Sequence, residues 1–108
     1  MSELPRRGEL WWAESPDAGR RPALVISRDG AISRLRRVMI APCTTNVRGL
    51  PSEVVLEPGE DPVARPTAVT LDTIDTVSVG MLTERVGTLS DQRMRQVCSA
   101  LAVATDCF

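Results

Sequence analysis

The stretch Arg20-Arg21-Pro22-Ala23-Leu24-Val25-Ile26-Ser27 decides how this chain folds. Its apolar residues run consecutively instead of alternating, which is the pattern of a strand covered on both faces. Pro22 has no amide proton to give a ladder, so it fits only the start of that strand or a sheet edge. Val38-Met39-Ile40-Ala41 repeats the buried-strand pattern, and Pro42 is expected to end its pairing. Between the two, the polar stretch Arg28 to Arg37 is read as holding a helical turn around Ala31 and Ile32. Upstream, Glu9-Leu10-Trp11-Trp12-Ala13 is short and aromatic, and Ser15-Pro16-Asp17-Ala18-Gly19 closes it, which predicts a strand followed by a turn.

Downstream, Cys43 to Pro51 is a loop by its Gly, Pro and Asn content. Glu53-Val54-Val55-Leu56 and Thr67-Ala68-Val69-Thr70-Leu71 are predicted strands, with Glu57 to Pro62 as the turn between them. Thr76 to Glu84 suits either a strand or a helical turn, and Arg85 to Leu89 is a last short strand. Ser90 is placed as an N-cap, Asp91 complements the helix dipole, and Leu89 with Met94 has the spacing of a hydrophobic staple. Met94, Val97, Cys98, Leu101 and Thr105 then recur at helical spacing, while Arg93, Arg95, Gln96 and Ser99 fill the opposite face. Val103 falls on that polar face, as an oligomer contact or as an isolated exposed valine. Five or six short strands and one amphipathic helix make a small α+β domain over residues 1–108, most simply a curled antiparallel sheet or partly open barrel.

At 108 residues the chain has room for one modest core. Histidine, lysine and tyrosine are absent. That excludes an imidazole acid/base pair, Ser-His and Cys-His nucleophiles, a phosphate-loop lysine and a Schiff base. Residues 1–50 carry nine arginines against five acids and residues 51–108 four against nine, so a near-neutral chain hides a basic half beside an acidic one. No apolar run approaches the roughly 20 residues of a membrane helix, and the polar start from Met1 to Gly8 is unlike a secretory signal. A cytosolic protein is expected. Cys43, Cys98 and Cys107 form an odd set without a CxxC spacing and are read as reduced, small apolar fillers.

Two places offer binding chemistry. At Arg20-Arg21-Pro22 an arginine pair enters a strand, either as a solvated charge that blocks edge-to-edge association or as a guanidinium fork for phosphate. At Thr44-Thr45-Asn46, hydroxyls and an amide either cap their own turn or donate to a ligand, and Arg48 lies on the same loop. If the two apolar strands are neighbours, fork and hydroxyls meet, which suits a phosphodiester. Carboxylates are the remaining catalytic groups: Asp17 in the first turn, Asp72 and Asp75 after the strand from Thr67, and Glu57, Glu60 and Asp61 in one turn. That last cluster matches no cation-loop spacing and reads as a plain surface turn. Of the adjacent Trp11 and Trp12, one belongs to the core and only its neighbour is available to stack a base.

Arg7-Gly8-Glu9-Leu10-Trp11-Trp12, Arg21-Pro22-Ala23-Leu24-Val25-Ile26-Ser27, Ala41-Pro42-Cys43-Thr44-Thr45-Asn46 with Arg48-Gly49-Leu50, and Glu53-Val54-Val55-Leu56 follow one another in series. In this order and spacing, with the Val69 to Val77 segment, the Val86-Gly87-Thr88-Leu89 strand and the final helix, the chain resembles the MazF/PemK toxins of bacterial type II toxin–antitoxin modules. The likeness is strongest to the short mycobacterial and actinobacterial group. The resemblance implies an SH3-like, partly open barrel and a homodimeric endoribonuclease without metal or other cofactor. Such an enzyme cuts single-stranded RNA at short sequences, in messenger RNA or in loops of tRNA or rRNA. It leaves 2′,3′-cyclic phosphate and 5′-hydroxyl ends and is restrained by a cognate antitoxin. The family's catalytic arginine corresponds to Arg21 and its threonine to Thr44. Thr45, Asn46, Arg48, Asp72, Thr73 and Arg20 are then expected against RNA, with Asp17 or Glu14 as general base.

Two departures from the family pattern are visible. The first turn is shorter than in many relatives and lacks their Gly-Ser-Glu-Gln-like stretch. Where many members carry a Gln and a basic residue, this chain has Asp72-Thr73-Ile74-Asp75-Thr76, and carboxylates can accept from the amino edges of cytosine or guanine. A cut sequence different from those of such relatives is expected. The reading from another class is a binding module, because the same barrel in CcdB toxins binds gyrase and cuts nothing.

Overall fold

The computed structural model describes residues 4–17 and 19–108. Met1 to Glu3, part of the polar start, and Ala18 of the first turn lie outside the described residues. In chain order the elements are β1 (Glu9–Ser15), β2 (Gly19–Val25), α1 (Asp29–Leu35), β3 (Arg37–Thr44), β4 (Glu53–Leu56), β5 (Thr67–Thr70), β6 (Asp75–Ser78), β7 (Leu82–Thr88) and α2 (Asp91–Thr105). Short 3₁₀ turns at Leu71–Thr73 and Val79–Met81 flank β6. All strands pair antiparallel in the order β4-β5-β3-β2-β1-β7, with β6 also on β3, and the end strands β4 and β7 do not meet. The result is the α+β architecture expected, a curled antiparallel sheet left open.

The consecutive apolar run of β2 has the double coverage its pattern implies. Leu24 joins Leu10, Ala41, Cys43, Leu56, Val69 and Val97 beneath α2, while Ala23 and Val25 join Ile32, Val38, Ile40 and Val77 on the other face. Two small cores thus share one sheet, and β2 and β3 hold both. Hydrophobic burial on this scale, about 25 cal/mol per Å² of apolar surface, is the main force holding the sheet in its curl.

The two prolines meet the positions read from sequence in part. Pro22 lies inside β2, opposite Trp12, and not at its start. The missing amide is tolerated because pairing with β3 begins only one residue later, at Ala23↔Pro42. Pro42 ends pairing with β2 as expected, yet β3 continues: Cys43 and Thr44 change partner to Val69 and Ala68 of β5. The two prolines therefore sit where β2 and β3 part company.

The helix start behaves as predicted, with the Ser90 hydroxyl accepting from Arg93 N–H at 3.1 Å, a cap worth about 1 kcal/mol. The phase of its apolar stripe differs from the prediction. Met94, Val97, Ala100, Leu101 and Ala104 face the core, whereas Cys98 is exposed and Arg93 is partly buried. Only Cys43 is the apolar filler expected of all three cysteines; burial pushes its thiol up to about 12. Cys107 is also exposed, beyond the helix end at Asp106. Val103 is exposed.

The turn from Glu57 to Pro62 is not a plain surface turn. The Asp61 side chain is 2% exposed, its carboxylate receives Arg93 Nε at 3.1 and 3.2 Å, and it also accepts from Glu57 N–H at 2.8 Å. This fixes Pro62 against Gly87 of β7, where a Cβ would come within 2.5 Å of the proline ring. Gly87→Ala is expected to lower stability by about 1–3 kcal/mol through this overlap. A urea midpoint equal to the parent's would show that the Pro62 turn gives way freely.

Candidate active site

The alternation of β2 sends adjacent arginines to opposite faces. Arg20 shares its face with Trp12 and Glu14: its guanidinium lies 4.3 Å over the Trp12 ring, donates to Glu84 Oε1 at 2.7 Å and has Glu14 Oε2 at 3.5 Å. The Arg20 guanidinium is held. Arg21 faces the other way and, among the described residues, has neither an ion pair nor a hydrogen bond from its side chain. An exposed, unpaired guanidinium keeps its full capacity for a bidentate anion.

The second half of the candidate site lies on β3, past the end of its pairing with β2. Ala23 opposes Pro42 in the last β2–β3 pair, so Arg21 and Thr44 each lie two residues beyond the point where the strands stop pairing, and Thr44 is opposite Ala68 of β5. Thr44 is partly buried at the end of β3, and its hydroxyl oxygen accepts from Asn46 N–H at 3.0 Å. The turn thus occupies one lone pair and leaves the Thr44 O–H proton for another acceptor. Thr45, one residue on, lies on the reverse side, where it lines an apolar pocket of about 430 Å³ with Trp12, Pro22 and Cys43.

Asn46 and Arg48 are exposed on the loop that follows, and that loop has an anchor the sequence reading missed. A single oxygen of Glu53, at the start of β4, accepts from three consecutive backbone N–H groups: Arg48 and Gly49 at 3.1 Å and Leu50 at 3.4 Å. Glu53 N–H returns a bond to Leu50 C=O at 3.0 Å. The available signal was local, an acid three to five residues after a Gly-containing loop, the spacing at which a carboxylate can cap a turn. Ser52 adds a second tie through its hydroxyl, which donates to the Asp72 carboxylate.

That bond separates the residues expected together after β5. Asp72 is drawn toward the loop, whereas Thr73 and Asp75 line a cleft of about 220 Å³ shared with Arg21 and Ser15 and floored by Pro42 and Val77. The Thr70 hydroxyl donates to Pro42 C=O at 2.8 Å, so the 2.8 Å contact between Thr70 and Thr73 takes its proton from Thr73. Of the two carboxylates considered as a base, Glu14 is on the Arg20 face, accepting from the Thr83 hydroxyl at 2.6 Å, and Asp17 is exposed in the turn before β2. The structure therefore brings Arg21, Thr73 and Asp75 to one cleft on one face, without Thr44 in its lining. It sets Arg20, Glu14 and Thr45 on the other, and Asp72 at the foot of the loop.

Comparison with known proteins agrees over nearly the full length. Residues 6–105 match the family model for PemK-like, MazF-like toxins of type II toxin–antitoxin systems. The chain is 60% identical over 107 residues to a probable endoribonuclease, MazF5, of Mycobacterium tuberculosis, covering 99% of this chain and 98% of that one. It is 37% identical over 102 residues to the probable endoribonuclease MazF2 of the same species, covering 94% and 99%. A mycobacterial endoribonuclease solved in complex with its cognate antitoxin superposes with a TM-score of 0.87 at 26% identity, covering 96% and 97%. The Mycobacterium tuberculosis toxin MazF-mt6 does so with a TM-score of 0.82 at 28% identity, covering 91% and 96%.

Proposed function

The chain belongs to the PemK/MazF family of type II toxins, and from that premise we propose that it is an endoribonuclease toxin cutting single-stranded RNA at short sequences, without a metal, to 2′,3′-cyclic phosphate and 5′-hydroxyl ends. The observation that supports this most is the unpaired Arg21 guanidinium in a cleft that Pro42, two residues before Thr44, also lines. In this reading the RNA 2′-hydroxyl attacks the adjacent phosphorus and its proton passes to Asp17. Glu14 is engaged by Arg20 and Thr83 on the reverse face, which favours Asp17 of the two carboxylates. Charge builds on the non-bridging oxygens of the phosphorane; Arg21 meets it with two N–H groups and Thr44 with the hydroxyl proton that its turn leaves unused. The P–O5′ bond breaks and the 5′-oxygen takes its proton from Arg21. A guanidinium that stays protonated in water is fit to act as proton donor and electrophile but not as base.

Asn46 and Arg48 would extend the site along the phosphate backbone, on the loop that Glu53 holds. A solved relative is in complex with its antitoxin. By the same logic this chain would act as a homodimer in the cytosol, arresting growth until a cognate antitoxin covers the RNA-binding face and competes for it. Purified protein incubated with single-stranded RNA and EDTA is expected to yield fragments with cyclic phosphate ends. Intact RNA under those conditions would replace this reading with that of a non-cutting, CcdB-like binding toxin.

A further inference from the structure

Beside Arg21 the cleft has a composition that its neighbour, the phosphate, does not require. Its floor is apolar, built from Pro42 and Val77, and its rim carries the Thr73 hydroxyl and the Asp75 carboxylate. An apolar slot with a few convergent polar groups is the form of a pocket for a small ring, at a volume of about 220 Å³. Asp75 is placed there by β6, where it pairs with Ile40 of β3, and one of its oxygens is occupied by Thr76 N–H at 2.8 Å. The other has no partner among the described residues. A carboxylate repels phosphate, so in a site next to Arg21 its use is to accept hydrogen bonds from something neutral.

We propose that this cleft is a nucleobase pocket flanking the scissile phosphate, in which Asp75 selects a base that presents an exocyclic amino group. The inference rests on the endoribonuclease reading of the Arg21 face. A carboxylate can only accept, so it pairs with the amino group of cytosine, adenine or guanine, whereas uracil offers one N3–H between two carbonyls, O2 and O4, that repel the carboxylate. Thr73 shares the rim, and its hydroxyl proton is committed to Thr70, leaving it acceptor capacity as well. The reader is thus Asp75 on β6, with Asp72 engaged by Ser52 instead.

The test uses randomised single-stranded RNA with sequencing of the cut ends, for the parent and Asp75→Asn, together with binding of 2′-O-methyl oligonucleotides that cannot be cut. The parent is expected to disfavour uracil at one position next to the cut by about tenfold or more. Asp75→Asn, whose amide can donate, is expected to admit uracil there while cutting continues. The uncleavable oligonucleotides should show the same loss of discrimination in binding. Identical cut sequences and identical binding preferences in the two proteins would overturn the pocket assignment and leave the nuclease reading standing. Discrimination in binding without cutting by the parent would keep the pocket and overturn the nuclease reading. A uniform fall in rate for Asp75→Asn at all sequences, with preferences unchanged, would place Asp75 in proton transfer and overturn its role as reader.

Discussion

Arg21→Ala is expected to lower the rate of RNA cleavage by about 100- to 1,000-fold while leaving the fold intact. The magnitude follows from what the guanidinium supplies, since removing one positioned donor to developing oxyanion charge costs two to three orders of magnitude. The fold should hold because Arg21 is exposed and, among the described residues, its side chain touches no ion-pair partner, so stability should change by no more than about 0.5 kcal/mol. Thr44→Val, which keeps the shape and removes the hydroxyl, should cost about ten- to 100-fold. Arg21→Lys should recover only part of the loss, because a point charge cannot reproduce the planar fork. Arg20→Ala separates site from scaffold. It breaks the contacts with Trp12, Glu14 and Glu84 that brace β1 against β7 and should lower stability while retaining most of the activity. Single-turnover rates with thermal unfolding of each variant decide the matter; an Arg21→Ala protein that cuts at the parent's rate removes Arg21 from the mechanism.

The contrast between those two arginines also marks where sequence reading stops. Both stand in one dipeptide and carry the same motif signal, but Arg20 is claimed by Glu84, 64 residues away across the sheet. Features decided within a few residues were legible: the Ser90 cap, the Leu89–Met94 staple, and the apolar run of β2. So was the adjacency of β2 and β3, because two buried runs of similar length make neighbouring strands. Features decided by a distant partner were not. Pro42 could be read as losing one partner, but its gain of β5 as another depends on Val69 and Ala68. The Asx-like and carboxylate ties that shape the loop, from Glu53 and from Asp72 through Ser52, look in sequence like ordinary surface acids. Asp72 and Asp75 differ by three positions and go to different places because a 3₁₀ turn, Leu71–Thr73, intervenes between β5 and β6.

Arg93→Met is expected to be the most destabilising change outside the two cores, at about 3–5 kcal/mol, or a fall in Tm of roughly 10–20 °C for a domain of this size. The reason lies in Asp61, whose side chain is 2% exposed and whose cation is Arg93. Their proximity holds the guanidinium above its usual range, through the hydrogen bond it donates to Asp61 first and the nearby Glu60 and Glu57 charges in addition. Removing Arg93 leaves a buried carboxylate with one backbone donor, Glu57 N–H at 2.8 Å. The loss is therefore a cost of stranded charge more than of a missing contact, and this can be separated experimentally. In the Arg93→Met background, Asp61→Asn removes the charge while keeping an acceptor for Glu57 N–H, and it should recover half or more of the lost stability. The double variant should then unfold with a urea slope like the parent's. If Asp61→Asn brings no recovery, the pair acts through packing of the arginine stem across α2 and the turn, and the electrostatic account of how that turn holds Pro62 against β7 fails.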